Sequence, residues 1–127
     1  MSTILKMIAL VAVFIHPTIA IAEDTIPRKD LYKIVGVKEV VKREFADAPI
    51  MVHIADAESQ YDCTAKNPTS SAKGCFQILD GTWKDHKCVG NVLEPIDNID
   101  CARKLYTKNG TNDWNASRGT WGKYVVQ

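Results

Sequence analysis

Apolar residues recur at helical spacing from Val37 onward. In the stretch VKEVVKREFA, Val37, Val40, Val41 and Phe45 are interspersed with lysine, arginine and glutamate. Apolar side chains three and four positions apart lie on one face of a helix. The pattern therefore predicts a short amphipathic helix that begins at Val37.

A second helix is predicted over residues 49 to about 60. Its buried face is expected to consist of Ile50, Ile54 and Ala57, with Met51 and Ala55 beside them. Asp47 offers an N-cap, because a carboxylate there accepts hydrogen bonds from the first-turn amides. Pro49 is tolerated in that first turn, where its missing N–H is harmless.

Turns and short elements follow this helix. Residues 67–71 are rich in turn-forming side chains, and residues 74–79 (GCFQIL) are typical of a brief extended segment. Asp80 to Thr82 predict a turn and cap into a helix around Trp83. The fold class expected is mainly α, with a minor β or irregular segment.

A longer helix is predicted at DNIDCARKLYTKN, introduced by Pro95 and Asp97 and stopped at Gly110. Four of its side chains are expected to face inward: Ile99, Ala102, Leu105 and Tyr106. Asp113 is expected to cap a final turn.

The N-terminal residues 1–22 have the pattern of a secretory signal peptide. Lys6 precedes an apolar run from Met7 to Ile15, and Ala20-Ile21-Ala22 suits a cleavage site. A membrane anchor is the alternative, but a spanning helix needs roughly 20 apolar residues. We expect cleavage after Ala22, a lead-in over residues 23–36, one domain over residues 37–127, and a secreted or periplasmic location in the cell envelope.

The charges of the chain give no support to a polyanionic partner. Lys6 is the one charged residue of the signal segment, and the rest of the chain has equal numbers of acidic and basic side chains. Nucleic-acid binding usually requires a basic excess. We expect no nucleic-acid partner, no stable membrane insertion after cleavage, and a monomer.

Four cysteines, Cys63, Cys75, Cys88 and Cys101, indicate two disulfides in an exported domain. Three pairings are possible, and we favour Cys63 with Cys75 and Cys88 with Cys101 because each closes a short loop. Zinc is the alternative, but no close Cys-x-x-Cys pair is present. His53 and His86 are too few and too far apart to indicate a metal, so no metal and no cofactor are expected.

Glu58 occupies an unfavourable helix position. It lies four residues after Ile54, on the apolar face of the second helix. It also lies near the C-terminus, where the helix dipole disfavours a carboxylate. Both effects favour the protonated form and would raise the pKa of Glu58, as a general acid requires. The alternative is that the helix frays before Glu58, leaving its side chain in water.

Further short sequence motifs favour the first interpretation, in which Glu58 is a general acid. IADAESQYD contains Glu58-Ser59, and SSAKGCFQILDGTW contains a Ser-Ala-x-Gly-x-x-Gln pattern that ends at Gln77, followed by Thr-Trp. Fainter matches are DNIDCARKLY and DWNAS. Over residues 37–121 this order resembles the lysozyme-like lytic transglycosylases of the soluble-transglycosylase type, which are related to goose lysozyme.

The resemblance implies an α-rich lysozyme-like domain that cleaves the β-1,4 bond between N-acetylmuramic acid and N-acetylglucosamine in peptidoglycan glycan strands. Glu58 would be the general acid and then the base. The 6-hydroxyl of the muramic acid would attack, giving a 1,6-anhydro product without a second carboxylate. Five aspartates are available as a second acid, and none has a comparably apolar setting: Asp62, Asp80, Asp97, Asp100 and Asp113.

The same resemblance implies roles for other residues. The expected substrate-binding residues are Ser59, Gln77, Asn98, Trp114 and Asn115. The alternative for Asn98 and Asn115 is a helix cap or turn, and the alternative for Trp114 is a place in the core. Ser59 could instead cap the helix end, and Gly74 would allow close approach by the sugar or by the catalytic helix. Ser117 departs from the family pattern, since a glycine is frequent at that position, and Trp114 replaces a common tyrosine.

Three alternatives to a transglycosylase remain open. The first is a lysozyme-type muramidase that uses water, and the second is a glycan-binding or structural module of the same fold without turnover. The third is a disulfide-stapled inhibitor or adhesion protein, for which we expect a protein partner and no binding to the wall.

Overall fold

The computed structural model describes residues 25–125, so the predicted signal peptide at residues 1–22 lies outside the described part. The chain divides into two compact units, Met1–Leu31 and Tyr32–Gln127. Of the first unit, residues 25–31 are described, and they contain the 3₁₀ helix η1 (Arg28–Asp30). Everything below concerns the second unit.

The described part of the second unit is helical, which confirms the predicted mainly α class. Its α-helices are α1 (Tyr32–Val35), α2 (Val37–Glu44), α3 (Ile50–Ser59), α4 (Asp80–Asp85), α5 (Pro95–Asn109) and α6 (Arg118–Trp121). Two 3₁₀ helices flank α6: η2 (Asn112–Ser117) and η3 (Gly122–Tyr124). Among the described residues, β structure is limited to isolated bridges of Lys73 with Lys66 and with Ile78.

Helix α2 confirms the first prediction. Val40, Val41 and Phe45 are buried, and Gly36, with φ of +88°, separates α2 from α1. The aromatic core continues from Phe45 to Phe76, whose ring centroids are 5.7 Å apart. The guanidinium of Arg103 lies 4.4 Å from the centroid of the Phe45 ring.

Helix α3 begins at Ile50, but its buried face differs from the prediction, since of Ile50, Ile54 and Ala57 only Ile54 is fully buried. Met51, Ile54 and Ala55 are fully buried, whereas Ile50 and Ala57 are half-buried. The apolar stripe is therefore centred on the 51–54–55–58 positions. This arrangement puts Glu58 one turn after Ile54 on the inward side.

The predicted caps at Asp47, Asp80 and Asp113 are wrong, because each carboxylate has another partner. Asp47 accepts both Nη atoms of Arg103, at 2.7 and 3.1 Å. Asp80 accepts Lys73 Nζ at 2.8 Å, and Asp113 accepts the amide of Asn109 at 3.0 Å. A charged or amide donor competes with first-turn backbone amides for these oxygens.

The predicted extended run at residues 74–79 is also wrong over most of its length. Residues 74–77 form a tight turn between Lys73 and Ile78, whose backbones exchange hydrogen bonds of 3.2 and 2.9 Å. Gly74 and Gln77 have positive φ angles of 83° and 50°. This turn, residues 74–77, packs beneath the end of α3.

Helix α5 confirms the prediction for its buried side chains and its end. It runs from Pro95 to Asn109 and is followed by Gly110 as its C-cap, with Ile99, Ala102 and Leu105 buried and Tyr106 half-buried. Both favoured disulfides are present, Cys63–Cys75 and Cys88–Cys101, with Cα separations of 4.0 and 5.3 Å. No helix within residues 25–125 is long and apolar enough to cross a membrane.

Candidate active site

Glu58 lies in the last turn of α3, between two cavities. The first cavity, of about 290 Å³, is lined by residues that include Glu58, Ser70, Gln77, Thr82, Asp113 and Trp114. The second cavity, of about 500 Å³, is lined by residues that include Asp56, Glu58, Ser59, Gln60, Ala65 and Thr120. Glu58 thus borders both cavities.

The environment of Glu58 favours its protonated form. Burial raises the pKa of the Glu58 carboxyl above its ordinary value, and a hydrogen bond from Ser117 partly opposes this rise. The helix does not fray before this residue: α3 continues to Ser59 and ends at Gln60, whose backbone is left-handed. The prediction of a partly desolvated Glu58 is confirmed.

Ser117 is the side chain that contacts the Glu58 carboxyl. Its Oγ lies 2.5 Å from Glu58 Oε1 and 3.0 Å from the indole nitrogen of Trp121. The sequence marked Ser117 only as a departure from a family pattern and gave no reason to connect it to Glu58. The two residues are 59 positions apart, so no local periodicity could have paired them.

Ser59 holds the end of α3 rather than the carboxyl of Glu58. Its hydroxyl lies 2.8 Å from the carbonyl oxygen of Cys75 and 3.2 Å from that of Ala55. Cys75 is also tied to Cys63 by a disulfide. The hydroxyl and the disulfide together fix the 74–77 turn against the helix that carries Glu58. The side chain of Ser59 still borders the second cavity.

Asn98 does not line either cavity at Glu58, so the predicted cleft position is wrong. It is fully buried, accepts the amide of Phe76 at 2.9 Å, and donates to the carbonyl oxygens of Val92 and Lys73 at 2.8 and 3.2 Å. A buried amide must satisfy its donors and its acceptor, and these three contacts do so. Asn98 is therefore the internal support of the 74–77 turn.

Gly74 makes room for Asn98, not for a sugar or for the catalytic helix as predicted. A Cβ atom at Gly74 would lie 2.1 Å from Asn98 Nδ2 and 2.6 Å from the carbonyl oxygen of Val92. Its φ of +83° also favours glycine. The close approach is between this turn and α5.

Gln77 lines the first cavity together with Glu58. Its amide nitrogen donates to the carbonyl oxygens of Ala65 and Gly74, at 3.1 and 3.0 Å. Both amide hydrogens are thereby used within the loop. The amide oxygen, which accepts no hydrogen bond from the described residues, is the group left for a ligand donor.

Trp114 and Asn115 differ in their positions. Trp114 is 3% exposed, donates its indole N–H to the carbonyl oxygen of Phe76 at 2.9 Å, and borders the first cavity. Asn115 is exposed and is not among the residues that line the two cavities at Glu58, although its neighbour Ala116 borders the first. Trp114 is thus chiefly a core residue, and Asn115 lies beside the site.

One other candidate acid from the sequence reaches the site. Asp113 lines the first cavity with Glu58 and is exposed. Asp62 and Asp97 are engaged elsewhere, with Thr64 and with the backbone amide of Asn91. Asp56, which the sequence did not single out, borders the second cavity.

The histidines have other contacts. His53 stacks on Tyr124, with ring centroids 3.7 Å apart, and His86 Nδ1 lies 3.0 Å from the carbonyl oxygen of Thr82. Within the described part of the chain, no group of three or more acidic, histidine or cysteine side chains has the arrangement of a metal site.

Comparison with known proteins gives one informative partial match. The chain is similar to a protein named "Probable transglycosylase SceD" from Staphylococcus haemolyticus, with 40% identity over 67 residues. The match covers 48% of this chain and 28% of the relative, so the chain spans little more than a quarter of that protein. No family model matches the chain, and no solved structure matches it.

Proposed function

We propose that this chain is a transglycosylase of the lysozyme-like type that cleaves peptidoglycan glycan strands in the cell envelope, with Glu58 as its acid and base. The observation that carries the proposal is the half-buried Glu58 at the end of α3, which borders two cavities. The partial similarity to a protein named as a probable transglycosylase supports the same reaction class.

The proposed reaction begins with proton transfer. A glutamate whose pKa is raised by burial is still protonated where an ordinary glutamate is ionised, so it can protonate a glycosidic oxygen. The bond between that oxygen and C1 of the muramic acid then breaks, leaving positive charge on the sugar ring. Glu58, now a carboxylate, stabilises that charge and can accept a proton.

The second half of the proposed reaction needs no further carboxylate. The 6-hydroxyl of the muramic acid gives its proton to Glu58 and attacks C1, which closes a 1,6-anhydro ring. Protons balance, because Glu58 ends the cycle as it began. The three polar residues Ser70, Gln77 and Thr82 border the first cavity and offer hydroxyl and amide groups for the N-acetyl and hydroxyl groups of a glycan.

A water-using muramidase is the second candidate, and the position of Asp113 favours it. In inverting glycosidases a second carboxylate activates a water molecule on the far side of the sugar ring. Asp113 shares the first cavity with Glu58 and is exposed. In that mechanism the loss of Asp113 would abolish turnover, whereas in the one-glutamate mechanism it would not.

Loss of turbidity of purified sacculi tests the proposal. We expect Glu58→Gln to lose activity by at least 100-fold, the contribution typical of general acid catalysis, because its amide cannot donate the proton. We expect Asp113→Asn to retain most of the activity. Equal clearing by wild type and Glu58→Gln would reject Glu58 as the acid, and loss of activity in Asp113→Asn would favour the muramidase.

Binding to sacculi distinguishes the alternatives in which the wild type shows no turnover. Pelleting with sacculi without turbidity loss by the wild type would indicate a glycan-binding or structural module. No pelleting and no turbidity loss would indicate a protein of another class, such as an inhibitor or an adhesion protein. The Glu58→Gln variant should pellet with sacculi as the wild type does, because its substitution preserves the shape of the site.

A further inference from the structure

Three polar groups form a chain from the core of the protein to the Glu58 carboxyl. Trp121 Nε1 lies 3.0 Å from Ser117 Oγ, and Ser117 Oγ lies 2.5 Å from Glu58 Oε1. Trp121 is 1% exposed, on α6, and its position is fixed by packing. Ser117 ends η2, so two elements meet at the carboxyl of a third.

The chemistry of the indole sets the direction of this chain. An indole N–H only donates, and that of Trp121 has two acceptors within reach, Ser117 Oγ at 3.0 Å and the carbonyl oxygen of Trp114 at 3.2 Å. Its bond to the nearer acceptor, Ser117, uses a lone pair of the serine oxygen and leaves the serine proton for another acceptor. Two acceptors are within reach, Glu58 Oε1 at 2.5 Å and the carbonyl oxygen of Trp114 at 3.1 Å. The carboxyl oxygen is nearer, and an ionised carboxylate is also the stronger acceptor.

The two carboxyl oxygens of Glu58 consequently differ. Oε1 accepts from Ser117, whereas Oε2 has no hydrogen-bond partner among the described residues. Among the described residues, His86 Nε2 is the side-chain polar atom that is buried without a hydrogen-bond partner. Glu58 Oε2 has no partner either, so it must be exposed to solvent. Because Glu58 borders both cavities, Oε2 is the oxygen open to a ligand.

We propose that Ser117 is a positioning residue for Glu58: held by Trp121, its hydroxyl occupies Oε1, so that the transferable proton resides on Oε2. This inference rests on the proposed function, in which Glu58 is the acid. Ser117 touches neither sugar nor reacting bond in this scheme; it acts through the carboxyl. A side chain without a hydroxyl at position 117 would leave the carboxyl free to rotate about its last torsion and to protonate at either oxygen.

Charged residues lie near Glu58, but Ser117 is the polar side chain that shifts the pKa of the Glu58 carboxyl. Asp113 of η2 shares the first cavity, and Asp56 of α3 shares the second. Arg118, at the start of α6, lies over the Trp121 ring at 5.7 Å and faces a different cavity. Burial and the Ser117 hydrogen bond are the two causes that shift the pKa of Glu58, and they act in opposite directions.

Removal of the Ser117 hydroxyl should therefore shift the pKa of Glu58 in one direction. In Ser117→Ala the carboxylate loses its donor while its burial remains, so the pKa of Glu58 should rise further. For a group that must be protonated to act, the alkaline limb of the pH–activity profile should move to higher pH. The rate at the optimum should fall about tenfold, the loss expected for a hydrogen bond to a charged group, with little change in KM.

The test uses Ser117→Ala, Ser117→Thr and the control Thr107→Ala. Thr107 is exposed on α5, away from both cavities at Glu58. Titration of the Glu58 carboxyl carbon by NMR, and kcat and KM on sacculi fragments across pH, are measured for each. Threonine keeps the hydroxyl, so Ser117→Thr should recover the wild-type pKa and most of the rate.

The two readouts separate the two proposals. An upward shift of the Glu58 pKa in Ser117→Ala, reversed in Ser117→Thr, supports the positioning role even if the wild type proves inactive on sacculi. Inactivity of the wild type would overturn only the proposed function. An unchanged Glu58 pKa in Ser117→Ala, or a rate loss shared equally by Ser117→Thr, would overturn the role of Ser117.

Discussion

At the scale of single residues, the site depends on one carboxyl group placed where charge is disfavoured. Glu58 shares the inward side of α3 with Ile54, so burial opposes its ionisation; it also lies in the last turn, a position where helices in general disfavour a carboxylate. Ser117 donates to the same group and acts in the opposite sense. The balance leaves a pKa above the ordinary value with one oxygen held in place.

The raised pKa of Glu58 predicts that the site costs stability at neutral pH. The folded state holds the Glu58 proton more tightly than the unfolded state does, so the free energy of unfolding falls as pH rises from the ordinary glutamate pKa through the raised one. Glu58→Gln has no charge to bury and keeps an oxygen that can accept from Ser117.

We therefore expect Glu58→Gln to be more stable than the wild type at neutral pH. The difference should shrink as the pH falls below the ordinary glutamate pKa of about 4.3, because the carboxyl then becomes protonated in both states. Urea denaturation of both proteins at several pH values measures it. A wild type that is more stable than Glu58→Gln at pH 7 would show that ionised Glu58 is stabilised rather than strained.

At the scale of elements, the 74–77 turn connects α3 to α5. Ser59 at the end of α3 bonds the carbonyl oxygen of Cys75, and Asn98 of α5 accepts the amide of Phe76. Gly74 permits this because the space of its missing side chain is occupied by Asn98 and by the backbone of Val92. The turn thereby holds Gln77 in the first cavity beside Glu58.

Gly74→Ala tests this connection. A methyl group would lie 2.6 Å from a backbone oxygen that cannot move aside easily, and the φ of +83° adds backbone strain. We expect a loss of about 2–4 kcal/mol in the free energy of unfolding. Gly81→Ala is the matched control: Gly81 lies in helix α4 with open space around it, so alanine should be neutral or gain up to about 1 kcal/mol. Equal stability of the two variants in urea denaturation would refute the contact.

At the scale of the whole molecule, the local spacing of apolar residues is sufficient to predict much of the helical framework. The apolar spacing located α2, α3 and α5, and short loop closure selected the two disulfide pairs that are present. Glu58 was identified from its place on a helix face, a property of neighbouring residues. The mainly α class follows from these same features.

The errors arise where a side chain has a distant partner. The sequence predicts that Asp47 caps α3, but Asp47 pairs with Arg103, 56 positions away. The family resemblance places Asn98 in the cleft, but Asn98 supports a turn 22 positions away. Ser117 was not connected to Glu58 for the same reason. Helical periodicity reports on contacts within a few residues, so it could not assign these roles.

The central claim is that Glu58 alone supports transglycosylation. The most direct test of this claim is to identify the product of the reaction. Purified sacculi are digested by the wild type in oxygen-labelled water, and the released muropeptides are examined by mass spectrometry, with Glu58→Gln as the control. We predict 1,6-anhydro ends without label in the wild-type digest and no release by Glu58→Gln. Reducing ends that carry the label, or equal release by both proteins, would contradict the account.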